Sequence, residues 1–483
     1  MTDAVPTPQR LTLVLPSTGE FDSRTYRIAS AAVAHGHTVT VIARWKPGLL
    51  DVEEHPGGYR ILRVPFSAID GLPLPGLVRA GRAGVRRLHA ARTRTLYRPP
   101  ADPMAAMRTA VAKQKAAVAA GAPAPTAPSS AADAGTGGFD GGGAAPSGAK
   151  QASLPRRVAS SLVRRLSIPL TIRSQGRFAA LVAPKADLYH GMAYMGVPIA
   201  LRLAGRDHAK AVYDARDIYM DAANLARMRG PMRWLIARAE RGWARKANRV
   251  VTVNKPYAKV MAGRFGVPEP LIVMNCAYRF TPPDPRPRRF HEALGLDPSA
   301  SVVLYQGGFS RDRGIEQLIE AVPTVPGAVL VLMGYGSLEE LLRAEEARSG
   351  GRVRVLPAVP PTELLAWVAS ADVVAMPIQP TTLNHRLTTP NKLFEAMAAG
   401  VPIVASDLPG MAPYVREANC GALCDAEQPA SIAAAIRMIL EAPADERAAF
   451  GARALAAAHD RYNWETQVAS LFAEYGRLTG SAW

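Results

Sequence analysis

The sequence predicts an α/β protein built on two doubly wound parallel sheets, and three observations predict it. Short apolar strands alternate with helical segments in both halves of the 483-residue chain. A proline-rich segment at residues 281–288 separates the halves and favours a stiff connection. The length is sufficient for two domains that each bury a core. We therefore expect a first domain at residues 1–280, a linker at 281–290 and a second domain at 291–455.

The first domain opens as a βαβ unit. Residues 11–15 read as a buried strand, residues 24–34 as a helix that His35-Gly36-His37 ends, and residues 38–43 as a second strand. Regular alternation resumes at Lys185. The later elements are strands at 186–190, 211–215 and 249–253, and a helix at 231–247.

Residues 71–173 interrupt this pattern. They carry 16 Lys and Arg against three Asp, a large share of the net charge of +18. Residues 119–148 are mostly Ala, Gly, Pro and Ser, which predicts a disordered insertion. The flanks, 77–97 and 154–173, mix apolar residues with arginine. They are suited either to an anionic membrane surface or to packing on the first domain, and the pattern favours neither. A nucleic-acid arm is disfavoured because no binding motif is present.

The second domain repeats the alternation of strand and helix. Its predicted strands are 301–305, 328–333, 353–356, 372–376 and 402–405, and its predicted helices are 314–322, 337–348, 362–369 and the helix that follows Thr389.

Composition bears on the compartment. The N-terminus lacks an apolar leader region and no bilayer-spanning run is evident, so we expect a cytoplasmic protein. The three cysteines, Cys276, Cys420 and Cys424, make no even disulfide framework and are expected to be buried free thiols.

The most informative stretch is T-T-P-N-K-L-F-E-A-M-A-A-G-V-P-I-V-A-S at residues 388–406. Thr389 is a candidate N-cap, Pro390 suits the first helical position and Gly400 suits the C-terminal end. Lys392 and Asn391 at a helix N-terminus would attract a diphosphate. Glu395, about one turn further along, would accept hydrogen bonds from ribose hydroxyls. The alternative is a solvated pair of Lys392 and Glu395 on an ordinary helix.

A second motif, Y-Q-G-G-F-S-R-D-R-G, spans residues 305–314. Gly307 and Gly308 follow a strand, so their backbone can approach a phosphate closely. The alternative is a simple glycine turn with exposed arginines. Gly334 and Gly336 follow the next strand, and Glu339 at the third glycine position excludes a dinucleotide-binding fingerprint.

These segments resemble, in order along the chain, those of the retaining GT-B glycosyltransferases of family GT4. The resemblance implies two Rossmann-like domains facing a cleft, and residues 456–483 forming a helix that crosses back to the first domain. It also implies a nucleoside diphosphate sugar as donor. Arg313 occupies the position of a lysine that neutralises the diphosphate. Gly308 stands where the family has an arginine, with Arg311 as a possible substitute.

The resemblance has departures. Glu395 matches the second of two paired glutamates, but Leu387 stands at the first, which would contact the donor sugar. Asn384, His385 or Asn391 would then hold the sugar, or donor choice differs. In the first domain, His190 matches the first histidine of a D-x-x-H-x-H segment and is expected to face the cleft. Met192 replaces the second histidine, and Arg216 replaces the histidine of a Y-D-A-H-E segment.

Asp22, Arg24 and Arg27 follow the first strand, where acceptors enter in GT-B enzymes. They are candidates for holding an anionic or lipid-phosphate acceptor, and a salt bridge within the first helix is the alternative. No D-x-D pair occurs, so we expect a metal-independent enzyme that uses cationic side chains as its electrophilic clamp. No cofactor is expected beyond the donor as co-substrate.

The sequence thus predicts a glycosyltransferase that acts on a glycan or lipid-linked acceptor at the cytoplasmic membrane face. Arg313, Lys392 and His190 are its expected catalytic residues. Two alternatives are a catalytically weakened nucleotide-sugar-binding scaffold, which Leu387, Met192 and Gly308 favour, and a GT-B nucleotide-sugar 2-epimerase.

Overall fold

The computed structural model describes residues 8–20, 22–66, 154–228 and 230–483. The disorder predicted for residues 119–148 and the surface contact predicted for residues 77–97 lie outside these ranges. Within them, two separate parallel sheets confirm the predicted fold class.

The first domain is built on an eight-stranded sheet of order β3-β4-β2-β1-β5-β6-β7-β8. Its neighbouring strands are parallel except for β3 and β4, a pair that the sequence analysis did not predict. The chain reverses direction across the sheet between β1 and β5, which is where a ligand crevice forms in such folds. The strands are β1 (Arg10–Val14), β2 (Thr38–Arg44), β3 (Val52–Glu54), β4 (Arg60–Val64), β5 (Leu188–Met192), β6 (Lys210–Asp214), β7 (Arg249–Thr252) and β8 (Leu271–Ile272).

Helices cover both faces of this sheet. They are α1 (Ser23–Ala34), α2 (Leu154–Val182), α3 (Ala193–Asp207), α4 (Ala223–Arg227), α5 (Pro231–Lys246) and α6 (Lys255–Phe265). The insertion boundary predicted near residue 173 falls inside α2, which runs from Leu154 to Val182. Its last turns are held by the domain: Gln175 Nε2 donates to Leu15 O at 2.6 Å, and Ile172 and Phe178 pack on the core. This part of the basic flank therefore packs on the first domain.

The second domain is a six-stranded parallel sheet of order β11-β10-β9-β12-β13-β14. The reversal point lies between β9 and β12, so the carboxyl ends of these strands border the expected ligand crevice. The strands are β9 (Ser301–Gly308), β10 (Ala328–Tyr335), β11 (Val353–Pro357), β12 (Val373–Met376), β13 (Ile403–Ser406) and β14 (Gly421–Cys424).

The helices of this half begin in the linker region and continue to the C-terminus. They are α7 (Arg289–Leu294), α8 (Ile315–Ala321), α9 (Glu339–Arg348), α10 (Leu364–Val368), α11 (Leu383–Leu387), α12 (Asn391–Ala398), α13 (Ala412–Ala418), α14 (Pro429–Leu440), α15 (Ala444–Asp460) and α16 (Trp464–Thr479). Helix α16 packs on the first domain, where Trp464, Leu471 and Tyr475 are fully buried in the core beside β5. The chain therefore connects the domains twice.

Candidate active site

Glycine backbone forms the carboxyl edge of β9 and β10. Gly307 has φ +119°, and a Cβ on Gly334 would collide with the carbonyl oxygen of Gly307. A Cβ on Gly336, which has φ +154°, would collide with the carbonyl oxygen of Phe309. Larger residues are excluded at these positions because the neighbouring loops pack directly against each other. Gly307, Gly334 and Gly336 thus form a surface without side chains, called the glycine shelf below, where a ligand can approach backbone groups directly.

Helix α12 begins one residue later than the sequence predicts. Pro390, with φ −74° and ψ 148°, is its N-cap rather than its first helical residue. Thr389 does not cap the helix, because its hydroxyl accepts from Asn254 Nδ2 at 3.0 Å and donates to Gly410 O at 2.5 Å. A proline side chain has no acceptor, so it leaves the first N–H groups of α12 without a side-chain cap. The predicted glycine stop is confirmed, since Gly400 has φ +64° directly after the helix.

Lys392 extends from the first turn of α12 toward the glycine shelf. Its Nζ lies 3.5 Å from the centre of the Tyr305 ring and 3.7 Å from where a Cβ of Gly307 would be. Burial, together with the positive charge of Arg313, lowers the pKa of Lys392 well below its usual value, and Glu395 offsets part of this effect. Among the described residues no carboxylate forms a salt bridge with it. An anionic ligand beside Nζ would therefore stabilise the charged form of Lys392.

Glu395 lies one turn further along α12 and is only 8% exposed. Its carboxylate accepts a long 3.5 Å hydrogen bond from Gln306 Nε2. Burial raises the pKa of Glu395, and the charge of Arg27 offsets part of that rise. The Oε1 atom of Gln306 is buried without a partner in the described part of the chain. Glu395 and Gln306 therefore offer acceptors suited to a sugar hydroxyl, and the sequence analysis missed Gln306, which directly precedes the glycine pair.

Arg313 and Arg311 lie on the turn between β9 and α8. This turn is tight, because Asp312 and Gly314 have φ +66° and +75°. Arg313 is half-buried and Arg311 is exposed. Burial and the charge of Arg313 lower the pKa of His385 to about 4. Arg313 thus acts electrostatically on both His385 and Lys392, and the two expected clamp cations lie on one side of the cleft.

His190 is not a cleft residue, which corrects the prediction that it faces a ligand. It is completely buried, its Nε2 lies 3.1 Å from Asp214 Oδ2, and the Tyr475 hydroxyl lies 2.7 Å from its Nδ1. Burial by itself would raise the pKa of Asp214, but Arg24 and His190 lower it well below its usual value. An ionised carboxylate only accepts, so Nε2 donates to Asp214, while Nδ1 is hydrogen-bonded to the tyrosine hydroxyl. Both ring nitrogens are occupied, and the side chain links β5 to α16.

Arg24 is also structural rather than acceptor-binding, so the prediction for this residue is wrong. It is fully buried and makes a bidentate pair with Asp214, with Nε–Oδ2 at 2.6 Å and Nη2–Oδ1 at 3.1 Å. Its Nη1 donates to Val273 O at 2.8 Å. Because this guanidinium is 0% exposed and paired with a carboxylate, an acceptor phosphate cannot reach it.

Asp22 and Arg27 occupy different positions on α1. Asp22 is the N-cap, accepts from Thr25 N at 3.0 Å, and pairs with Arg216 Nη1 at 2.9 Å. Arg216, which replaces a family histidine, is thereby tied to α1. Arg27 donates to Asn275 O at 3.3 Å, and its charge acts on Glu395 of the second domain. Arg27 therefore borders the cleft between the domains.

Helix α11 connects the two domains directly. Asn384 Oδ1 accepts from Ile218 N at 2.8 Å and Tyr257 OH at 2.7 Å, while its Nδ2 donates to Asp217 Oδ1 at 3.0 Å. Leu387, at the position of the first family glutamate, packs on the apolar cluster of the first domain. Asn384 is 1% exposed and bonded to three groups of the first domain, so a donor sugar cannot reach it, and Leu387 has an interdomain packing role. Asn391 stays half-buried at the start of α12.

Three further expectations concern the cysteines, metal binding and membrane-spanning helices. All three cysteines are buried free thiols, as predicted. Within the described ranges, no group of three or more His, Cys, Asp or Glu side chains is arranged to hold a metal ion. No described helix is both long and apolar enough to cross a bilayer.

Comparisons with known proteins find sequence similarity to glycosyltransferases over part of the chain. Residues 300–442 match the family model described as glycosyl transferases group 1. A D-inositol 3-phosphate glycosyltransferase of Segniliparus rotundus is 32% identical over 200 residues, which is 39% of this chain and 43% of that protein. A glycogen synthase of Mycobacterium tuberculosis is 31% identical over 148 residues, or 29% of this chain and 34% of that protein. These alignments span less than half of the relatives' length.

Solved structures share the fold over nearly the whole chain. A sucrose-phosphate synthase from Thermosynechococcus elongatus has a TM-score of 0.63 at 18% identity, covering 98% of this chain and 99% of that one. The Anabaena protein HepE, in complex with UDP and glucose, has a TM-score of 0.60 at 15% identity, covering 97% of this chain and all of that one. Because the sequence identities are this low, the structural similarity shows the fold alone.

Proposed function

We propose that this chain, whose residues 300–442 form a group 1 glycosyltransferase domain of the GT4 type within a GT-B fold, transfers a sugar from a nucleoside diphosphate donor. The acceptor in this proposal is a hydroxyl group of a glycan or of a lipid-linked intermediate. The position of Lys392 carries the proposal. Its ammonium group lies beside the glycine shelf of β9, at a helix N-terminus, without a carboxylate partner among the described residues.

The roles of the residues follow from these positions. The diphosphate lies on the glycine shelf between Lys392 and Arg313, while Glu395 and Gln306 accept hydrogen bonds from the ribose hydroxyls. When the bond between the anomeric carbon and the diphosphate oxygen breaks, the electron pair stays on the leaving oxygen. The two cations stabilise this developing charge, which is where fixed electrostatic groups contribute most to catalysis.

The acceptor oxygen forms the new bond to the anomeric carbon, and its proton passes to an oxygen of the departing phosphate. No protein base is needed in this scheme, which suits a site where His190 is buried and fully hydrogen-bonded. We infer that transfer proceeds with retention, without a metal ion and without any cofactor besides the donor. Arg27, which borders the cleft beside Glu395, is the candidate from α1 that remains for contact with the acceptor.

We place the reaction in cell-envelope polysaccharide or glycolipid synthesis at the cytoplasmic face of the membrane. The strong positive charge of residues 71–173 supports this location, because basic segments are attracted to anionic lipid head groups.

Thermal unfolding with UDP-, GDP-, TDP- and ADP-sugars tests the donor assignment, because a ligand that binds only the folded state raises its melting temperature. We expect one donor to raise the melting temperature of the wild type, and the shift to be lost in Glu395→Ala. Lys259→Ala, a substitution of an exposed lysine on α6, serves as the control and should keep the shift.

The product distinguishes the remaining alternatives. The donor that binds is incubated with candidate glycan and lipid acceptors, and the sugar products are identified by mass spectrometry and NMR. Transfer to an acceptor supports the proposal. Binding without any turnover would favour the scaffold, and release of a sugar epimerised at C2 would favour the epimerase. No shift with any donor would refute the proposed site.

A further inference from the structure

The exposed face of α5 carries a line of residues that the proposed transfer reaction does not use. Trp234, Arg238, Arg241 and Arg245 follow one another at intervals of four, three and four residues. This spacing places all four side chains on one side of the helix, and they are named the α5 stripe below. The opposite side, with Ile236, Glu240 and Ala244 buried, holds the helix on the first domain.

The tryptophan at the start of the α5 stripe is unusually exposed for its size. Trp234 is 62% exposed and its neighbour Leu235 is 48% exposed. The Arg238 guanidinium lies 5.8 Å from the centre of the Trp234 ring. Tryptophan and leucine side chains on a protein surface lose apolar contact with water when they enter an interface. The N-terminal end of the stripe is therefore suited to partial insertion into an apolar layer.

The arginines of the α5 stripe have no salt-bridge partner among the described residues. In the described part of the chain, Arg238, Arg241 and Arg245 form no salt bridge, although Arg245 Nε donates to Phe265 O at 2.7 Å. Glu240 is the sole acidic residue of α5, and it is buried and bonded to the Tyr213 hydroxyl at 2.6 Å. Helix α9 differs, since its Arg343 and Arg348 pair with glutamates of the same helix.

Arginines without a salt-bridge partner in the described ranges, beside an exposed tryptophan, complement an anionic lipid surface. Guanidinium groups bind phosphates, and tryptophan favours the boundary between head groups and acyl chains. Helices with this division of charge and apolar surface lie in the plane of the interface. We propose that the α5 stripe, with Leu235, docks the first domain on a bilayer that contains anionic lipid. This docking surface is independent of the proposed transfer reaction and of residues 71–153.

Co-sedimentation of the full chain with vesicles tests the docking surface. The vesicles consist of phosphatidylcholine alone or of phosphatidylcholine with phosphatidylglycerol, at low and at physiological ionic strength. We expect binding to the phosphatidylglycerol vesicles alone, weakened by salt. Each arginine near an anionic surface contributes about fivefold to binding, so Leu235→Ala/Arg238→Gln/Arg241→Gln should lower the partition coefficient by about thirtyfold or more.

The control variant removes the same types of exposed residue from the second domain, where the arginines are paired with carboxylates. Leu341 is also 48% exposed, and Arg348 and Arg416 are exposed arginines, so Leu341→Ala/Arg348→Gln/Arg416→Gln changes the same chemistry elsewhere. This variant should bind vesicles as the wild type does. Substitution of Trp234 by Phe should abolish a blue shift of tryptophan emission that vesicles induce in the wild type.

Several results would overturn the docking proposal. One is that the wild type does not bind vesicles at low salt, and another is that it binds neutral vesicles equally well. A third is that the α5 variant binds as strongly as the wild type, which would mean that another surface makes the contact. Tighter binding to a single-stranded oligonucleotide than to vesicles would also overturn it. Both triple variants should keep the thermal shift with a donor, so a failure of docking is separate from a failure of the proposed catalytic function.

Discussion

Replacing Lys392 by methionine should stabilise the ligand-free protein and weaken its binding of a nucleoside diphosphate. The lysine is the cation beside the glycine shelf, and burial lowers its pKa well below the usual value of 10.5. Methionine is unbranched and one atom shorter than lysine, so it keeps most of the apolar packing and removes the charge. The variant therefore separates the electrostatic role of Lys392 from its packing.

The direction of the stability change follows from proton linkage. A lysine whose pKa is lower in the folded protein binds fewer protons there than in the unfolded chain, between the two pKa values. Its charged form therefore costs folding free energy, and stability rises as the pH increases through the folded pKa toward 10.5. Lys392→Met removes this cost, so the variant should melt at a higher temperature than the wild type at neutral pH. Its stability should also vary less with pH over this window.

The loss of binding follows from the contact that the ammonium would make. A hydrogen bond to a charged group contributes about 1.5–3 kcal/mol. Removing it should weaken diphosphate binding by about tenfold to 150-fold. Isothermal titration calorimetry with the nucleoside diphosphate that the wild type binds measures this change, and differential scanning calorimetry of the free proteins measures the stability.

Binding should also depend on pH, since an anion stabilises the charged lysine. Donor affinity should fall in the wild type as the pH rises through the lowered pKa of Lys392, and the variant should not show this step. The reasoning would be refuted if Lys392→Met bound the diphosphate as tightly as the wild type, or if it lowered the melting temperature of the free protein.

Three further substitutions test other parts of the structure. Tyr475→Phe removes the hydroxyl that lies 2.7 Å from the buried His190 Nδ1 and should lower the free energy of unfolding, measured in urea, by about 1–3 kcal/mol. An unchanged unfolding midpoint would mean that this hydrogen bond contributes little to stability. Leu387→Glu should reduce sugar transfer and destabilise the contact between the domains, because it puts a carboxylate into an apolar cluster. Increased turnover with the wild-type donor would instead show that a glutamate at this position contacts the donor sugar. Burial raises the pKa of Glu240 to about 7, so the contribution of this residue to wild-type stability should fall by up to about 3 kcal/mol as the pH rises from 4.5 to 7. Glu240→Gln should remove that contribution from the slope in pH-dependent unfolding.

Local chemistry accounts for the part of the donor site that sequence analysis located. Gly307, Gly334 and Gly400 all lie where a backbone turn or a close approach needs glycine, and their positions after strands or helices show this in the sequence. Lys392 and Glu395 are three residues apart on one helix, so their common location follows from helical geometry. Their assignment to a nucleotide-sugar site stays a prediction.

The cleft residues from the first domain could not be assigned in the same way. The sequence analysis places His190 at the end of a predicted strand and Arg24 after the first strand, and the same pattern suits an acceptor site and a buried network. Asp214 is 190 residues from Arg24, and Tyr475 is 285 residues from His190. Partners so distant in sequence leave no local signal, so burial and hydrogen bonding decided their roles.

The sequence alone determined the α/β alternation, the order of the motifs and the glycine and cationic residues of the second domain, because strand periodicity, turns and helix ends depend on neighbouring residues. Tertiary structure decided which polar side chains reach the cleft and which are buried and hydrogen-bonded inside the protein. It fixed Arg24, Asp214, His190 and Tyr475 into one buried network, and it turned Leu387 toward the first domain. The physical reason is that desolvation and pairing of a side chain depend on what folds against it.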